Sequence, residues 1–492
     1  MANQFLPITK NECLSRGWDE VDFVYVCGDA YVDHPSFGAA IISRVLENAG
    51  FRVAFLSQPD YKSCEDFKRF GRPRLGFLVS AGNIDSMVAH YTASKKKRSY
   101  DYYSPGGKMG KRPDRAVIVY CNRIREAYGD VPIIIGGLEA SLRRFSHYDY
   151  WDDKIRRSVL VDSRADILTY GMGESIILRL ATLLDKGVPI KKIRAERGCV
   201  YLCKREDEVH FPIAAEFDFN KIKEDKREYA RAFGIQYKNQ DAINGKAIVE
   251  YYDQKKLVQN PPAYPLERDE LDRIYDLPYA RTYHPVYEKE GGVPAISEVR
   301  FSITHNRGCF GGCNFCALAF HQGRSVRSRS IESVVKEAKL ITEMSDFKGY
   351  IHDIPSHSPN ISPRRYGHVD QHVFGEDAVA RGGVVDEDVG DGAHQLAVLD
   401  DGRAAHPLHD APRHRQKVVV LDLHREAFRT TGVAVDIADL HVVLLRLVAV
   451  QGGENIGGAL VKISTQSQLQ GLGNAFGDLG KYAPYAARGV PQ

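Results

Sequence analysis

The chain has 492 residues with a mass of 55.1 kDa, which is too long for one ordinary domain and corresponds to about three units of roughly 150 residues. Hydrophobic residues at 43% and charged residues at 27% exclude a wholly disordered or low-complexity chain, and 67 Lys plus Arg against 64 Asp plus Glu leave no global field that would demand nucleic acid or an anionic membrane. The first residues, MANQFLPITKNECL, lack an apolar signal core, and no apolar run is long enough to span a bilayer, so the expectation is a cytoplasmic protein without a membrane partner.

In chain order, Phe23 to Cys27 is a compact apolar run. It leads through a Gly/Asp/Pro loop into a helical pattern on Ala40, Ile41, Val45 and Leu46 that stops at Gly50, and Arg52 to Leu56 returns as a strand. This is a βαβ unit, for which a parallel pairing is expected. Strands over 75–79, 131–135 and 167–170 continue the alternation, with helices at Arg115–Tyr128 and from Glu174 through Leu184. The reading is an α/β protein whose residues 1–203 form a doubly wound, Rossmann-like domain.

Residues 204–295 are charged, tyrosine-rich and interrupted by prolines. KIKEDKREYARAF looks helical, and the whole stretch reads as a connector packed over its neighbours. Val299 to Thr304 alternates as a strand. Ser330 is placed to cap a helix with the stripe Ile331, Val334, Val335, Ala338 and Ile341, and Tyr350 to Ile354 reads as a second strand. Residues 296–354 therefore form the start of a further βα array. After Ile354 the composition changes: residues 355–492 hold nine of the 17 histidines and 18 valines but three lysines and three tyrosines, against 24 lysines and 23 tyrosines before. That segment is either a domain of different composition or the product of a changed reading frame, and the second is favoured.

The nine cysteines are odd in number and unevenly spread, a poor basis for a disulfide framework. Three of them lie in the sequence RGCFGGCNFCAL as Cys309-x3-Cys313-x2-Cys316. Soft thiolates in one short loop select zinc, copper(I) or an iron–sulfur cluster, and the intervening glycines let backbone fold around a bulky group. A four-iron cluster held by three cysteines leaves one iron open. The alternatives are a zinc site completed by His305 or His321, and three merely buried thiols.

With Phe315 before the last cysteine, this motif resembles the radical S-adenosylmethionine (SAM) signature, and RGCFGGCNFCAL is similar to the YgiQ family within that superfamily. The resemblance extends through GDAYVDHPSFG, SKKKRSYDYYSPGGK, IIIGGLEASLRRFSHYDYW and VQNPPAYPLERDELDRIYDLPYARTYHP, covering roughly residues 10–354. It implies a 4Fe–4S cluster on Cys309, Cys313 and Cys316, with SAM bound at the open iron and Phe315 against its adenine. It also implies an electron donor such as flavodoxin or ferredoxin, and a 5'-deoxyadenosyl radical acting on a substrate the sequence does not identify. The implied architecture is a cobalamin-binding-like N-terminal domain followed by a radical SAM α/β barrel. The family pattern expects Gly-Gly-Pro directly after IHDI, where this chain has Pro355-Ser356-His357, so the barrel is read as disrupted after its second strand.

Weaker signals complete the reading. Cobalamin ligation needs Asp-x-His-x-x-Gly, and His34 sits one place early in Asp33-His34-Pro35-Ser36-Phe37-Gly38, so cobalamin is not expected. Lys95-Lys96-Lys97-Arg98 followed by Tyr100, Tyr102 and Tyr103 combines charge with stacking surfaces and suggests RNA, against the alternative of a solvated loop. Arg143, Arg144, Arg156 and Arg157 either line an anion pocket or pair with Asp149, Asp152 and Asp153. Glu139 and Glu174 are strand-end residues without an assigned role, and Cys199-x3-Cys203 is read as two ordinary thiols.

Overall fold

A computed structural model describes residues 5–309 and 316–351. Phe23–Cys27 (β1) is buried at every position, as a strand covered on both faces must be. Gly38–Asn48 (α1) returns the chain to Val53–Ser57 (β2), parallel to β1, and Gly76–Ser80 (β3) lies on the other side of β1. Ala116–Tyr128 (α2), Ile133–Ile135 (β4), Gly137–Leu142 (α3), Ile167–Thr169 (β5) and Glu174–Asp185 (α4) follow. Strands β2, β1, β3, β4 and β5 stand side by side in that order and all run parallel. Alternate β1 residues feed two cores. Phe23 and Tyr25 pack with Ala40, Ile41 and Leu180 of α1 and α4, while Val24 and Val26 pack with Val117, Tyr120 and Ile124 of α2.

The sheet does not end at residue 203. Cys199–Lys204 (β6), Ile213–Asp218 (β7), Ala247–Tyr252 (β8) and Lys255–Gln259 (β9) extend it to nine strands in the order β7-β8-β9-β6-β5-β4-β3-β1-β2. β6 and β9 are antiparallel to their neighbours, so the sheet is mixed. The boundary expected at 203 falls inside β6, and much of the expected connector is sheet: the chain makes a hairpin between β8 and β9, which needs no crossover helix. Residues beyond β9 pack over the sheet, with Leu266, Leu271, Ile274 and Tyr279 in the α1–α4 core. KIKEDKREYARAF spans two helices, because Asp225 leaves the helical conformation and accepts from the Arg227 amide as the cap of the second.

Val299–Thr304 is not a strand. Ile296–Val299 is a helical turn, and the Arg300 and Ser302 amides donate back to the carbonyls of Ile296 and Val299. The alternation is nevertheless real as burial, since Phe301 and Ile303 join Val334, Ala338 and Ile341 in a separate small core. Two short strands, Asn306–Arg307 and Arg327–Ser328, pair antiparallel across the base of the cysteine loop. Leu318–Gln322 (α5) and Ile331–Thr342 (α6) complete the described part, and the Ser330 side chain caps α6 by accepting from the Ser333 amide. Tyr350 and Ile351 are not in a strand. The rest of that expected strand, and all of 355–492, lie outside the described residues. Among the described residues no helix is long and apolar enough to cross a membrane.

Candidate functional site

The cysteine loop rises from a rigid base. At Gly308 the backbone has φ +82, and a Cβ there would stand 2.2 Å from the Ser325 carbonyl oxygen, so the position demands glycine. The Gly308 amide donates to Gln322 Oε1 at 3.0 Å, and the Cys309 amide to the Gly323 carbonyl at 3.1 Å. Together these bonds tie the departing strand to the end of α5, which carries the returning chain. Cys309 is half-buried and Cys316 is exposed. Cys313 and Phe315 lie outside the described residues.

Buried guanidinium groups strap this base to the rest of the protein. Arg307 donates to Glu174 at the start of α4 and to the Tyr275 hydroxyl at 3.0 Å, with both ionic side chains less than a tenth exposed. Burial opposes the Arg307 charge, but Glu174 and Tyr275 outweigh it and raise the pKa. Arg329 bonds Glu337 and the Thr304 carbonyl, Arg281 bonds Glu337 and the Ser302 carbonyl, and the Arg329 amide donates to the His305 carbonyl. Sequence reading noted Glu174 without a role and missed Arg281, Arg307, Arg329 and Glu337. One signal was available: Glu337 lies on the apolar stripe of α6, where an acid implies a buried partner.

The residues present suit a thiolate-bound group. Soft donors stand at both ends of the loop, and the base leaves buried polar atoms of Asn306 and Arg307 Nη2 without a hydrogen-bond partner among the described residues. His321 is half-buried, and burial, followed by the nearby Arg144 charge, drives its pKa down to about 4. Among the described residues no group of three or more His, Cys, Asp or Glu is gathered to hold a metal; the full cysteine triad is not within that set.

The four arginines divide. Arg143 pairs with Asp85 at 2.8 Å, Arg156 with Asp152 at 3.0 Å, and Arg157 with Asp162 at 2.7 Å. Arg144 instead is fully buried, bonding Gln259 Oε1 and the Ser141 carbonyl and lying 4.2 Å from the Phe320 ring centroid. Desolvation lowers its pKa to about 10. Glu139 is structural, accepting from the amides of Ser86 and Val117 at the start of α2. Cys199 and Cys203 are buried in β6, where desolvation raises both thiols.

Strand order reverses between β1 and β3, the place where open α/β sheets commonly receive ligands. Here Arg112 fills it. Its guanidinium reaches Asp29 at 2.8 Å, Asp101 at 3.0 Å and the Ala81 carbonyl at 2.9 Å. Desolvation raises Asp29 to about 6 against the pull of Arg112. His34 is buried, its Nδ1 accepts from the Ser36 amide, and burial followed by Arg281 keeps its pKa well below the usual value.

The family description Radical SAM N-terminal matches residues 5–302. A UPF0313 protein of Clostridium botulinum is 56% identical over 369 residues, covering 74% of this chain and 57% of that protein. One from Clostridium perfringens is 58% identical over 358 residues, covering 73% and 54%. The chain thus spans a little over half the length of these curated relatives. Among solved structures, the radical SAM methyltransferase TsrM from Kitasatospora setae, with tryptophan substrate and a SAM analogue bound, is similar at 16% identity and a TM-score of 0.41, over 76% of this chain and 57% of that one. The same enzyme with cobalamin and a 4Fe–4S cluster bound gives a TM-score of 0.40. From the N-terminal match across more than half of its length and the identity to UPF0313 proteins, the chain belongs to the YgiQ family of radical SAM proteins.

Proposed function

We propose that Cys309, Cys313 and Cys316 hold a 4Fe–4S cluster and that the protein is a radical SAM enzyme. The carrying observation is a cysteine loop whose base is fixed on both sides, by the Gly308 and Cys309 amides to α5 and by Arg307 to Glu174. When bound and reduced by a flavodoxin- or ferredoxin-type donor, the cluster supplies one electron to SAM, yielding methionine and a 5'-deoxyadenosyl radical that abstracts a substrate hydrogen. The role of this chain's own residues is to present three thiolates, place Phe315 beside the adenine and hold the loop against the N-terminal sheet. In this reading the parallel part of that sheet is a Rossmann-like scaffold without cobalamin, a reading supported by the ion pairs of Arg112 with Asp29 and Asp101 beside the crevice between β1 and β3.

Anaerobic reconstitution followed by iron and sulfide analysis tests the cluster. About four of each per chain are expected, falling sharply in Cys309→Ala, Cys313→Ala and Cys316→Ala. A colourless protein with a single zinc overturns the assignment. Incubating the reduced protein with SAM and measuring 5'-deoxyadenosine tests turnover, alongside a version in which Gly-Gly-Pro and the following barrel are restored. Product from the restored version supports the reading, and a loaded cluster with no product from either version makes the protein a structural iron–sulfur protein.

A further inference from the structure

Of the tyrosines that follow Lys95 to Arg98, Tyr100 and Tyr102 are 44% and 57% exposed. Tyr91 bridges to Lys97, and the Thr92 and Lys95 backbones close a tight turn, with Lys95 held at φ +60. That turn is locked to a second hairpin, whose strands are His147–Asp149 and Lys154–Arg156. Lys95 Nζ donates to the Trp151 carbonyl at 3.0 Å, the Tyr150 hydroxyl donates to the Ala93 carbonyl at 2.7 Å, and the Tyr91 and Trp151 rings lie 4.0 Å apart. Tyr103, by contrast, packs against the sheet core.

The outer face of this double hairpin is basic and aromatic. The carboxylates nearby are already engaged: Asp152 by Arg115, Lys154 and Arg156, Asp114 by His90, and Asp153 by the Tyr148 hydroxyl. Lys96, Lys97 and Arg98 are exposed and take part in no ion pair among the described residues, and Arg98 Nε donates to the Val88 carbonyl at 3.0 Å. Tyr148 and Tyr150 are 44% and 57% exposed, and their hydroxyls are tied down so that the rings are held in place. Tyr148 lies in the strand and Tyr150 in the turn that follows it, where Lys95 Nζ stands 5.0 Å from the centroid of the Tyr150 ring.

We propose that this double hairpin binds a single-stranded polynucleotide, with Lys96, Lys97 and Arg98 taking phosphates and Tyr148 and Tyr150 stacking on unpaired bases. Exposed cations on one hairpin and exposed rings on the hairpin locked to it are what a strand with unpaired bases requires. A duplex offers its phosphates but keeps its bases stacked internally, so it uses the cations and not the rings. The site is independent of the cysteine loop, and its test needs no cluster.

Fluorescence anisotropy of the full chain with labelled oligouridylate about twelve nucleotides long, measured across a salt series, decides it. Neutralising three phosphate contacts in K96Q/K97Q/R98Q is expected to reduce the log–log salt slope by roughly 2. Tyr150→Ala is expected to weaken binding by about 5- to 150-fold with the slope unchanged. Lys96→Gln alone, at an exposed position, is expected to lower the slope by about 0.7, and equal thermal melting of all variants shows that they are folded. The proposal is overturned if the wild type does not bind at low salt or if the triple variant keeps its affinity and slope. It is equally overturned if a duplex binds as tightly as the single strand, or if phosphatidylglycerol vesicles compete for the same cations with equal effect.

Discussion

Glu174 and Arg307 lie 133 residues apart in sequence and meet in a buried ion pair, one from the start of a sheet helix, the other two residues before Cys309. Neither side chain is exposed enough for water to replace a lost partner. Removing one charge from such a pair leaves the other uncompensated, at a cost of about 3–5 kcal/mol, whereas replacing both by apolar groups is often neutral. Glu174→Gln is therefore expected to lower unfolding stability in denaturant by that order, and E174L/R307M to recover most of the loss. If E174L/R307M is no more stable than either single variant, the two charges act separately and the joint described above does not exist. Such a contact is invisible in sequence because nothing local to Glu174 points at residue 307. The cysteines were legible for the opposite reason: their ligand spacing is local.

At the scale of elements, burial and hydrogen bonding have to be read separately. The alternation over 299–304 reports correctly that Phe301 and Ile303 face inward, but the backbone amides of Arg300 and Ser302 turn back on the preceding turn. A periodic pattern shows which side chains are covered, not which carbonyls receive the amides. The helix over 331–342 was legible because its cap and its stripe agree. The loop base depends instead on single backbone conformations. In Gly308→Ala the new Cβ meets the Ser325 carbonyl at 2.2 Å, while Gly323, with φ +90, faces open space. Gly308→Ala is expected to cut reconstituted iron to well under half of wild type without moving the melting transition of the sheet. Gly323→Ala meets no neighbour but carries backbone strain of about 1–3 kcal/mol, because φ +90 with ψ 173 is essentially a glycine conformation, and it is expected to retain more iron than Gly308→Ala. Equal iron content in the two variants would show that the cradle at Gly308 does not govern the loop.

At the scale of the whole molecule, the parallel half of the sheet was legible from regular strand–helix alternation, whereas β7 to β9 were not. The reason is chemical. β7 is half solvated, β8 carries Glu250 and two tyrosines, and β9 begins with two lysines, so none resembles the apolar runs of the parallel strands. The buried Glu250 is accommodated by Ser146 and the Tyr252 hydroxyl rather than by an apolar neighbour.

Composition argues a different case for residues 355–492. Lysine and tyrosine fall to three each where the preceding part has 24 and 23, and histidine and valine rise at the same place. The alignment with the Clostridium botulinum relative takes in 74% of this chain and 57% of that one, so each has a part outside it. A shift of one reading frame changes every codon downstream at once, and would account for a simultaneous change in several residue types and for Pro355-Ser356-His357 standing where the family pattern has Gly-Gly-Pro. A separate domain would have to show all of these changes at the same point where the family pattern departs. Resequencing the coding DNA and translating the two alternative frames after the Ile354 codon is expected to reveal Gly-Gly-Pro followed by further strand–helix units with lysine and tyrosine at their earlier frequency. If neither frame yields such units, or if the fragment 355–492 expressed alone is compact and resists proteolysis, the tail is a genuine domain and the frame change is wrong.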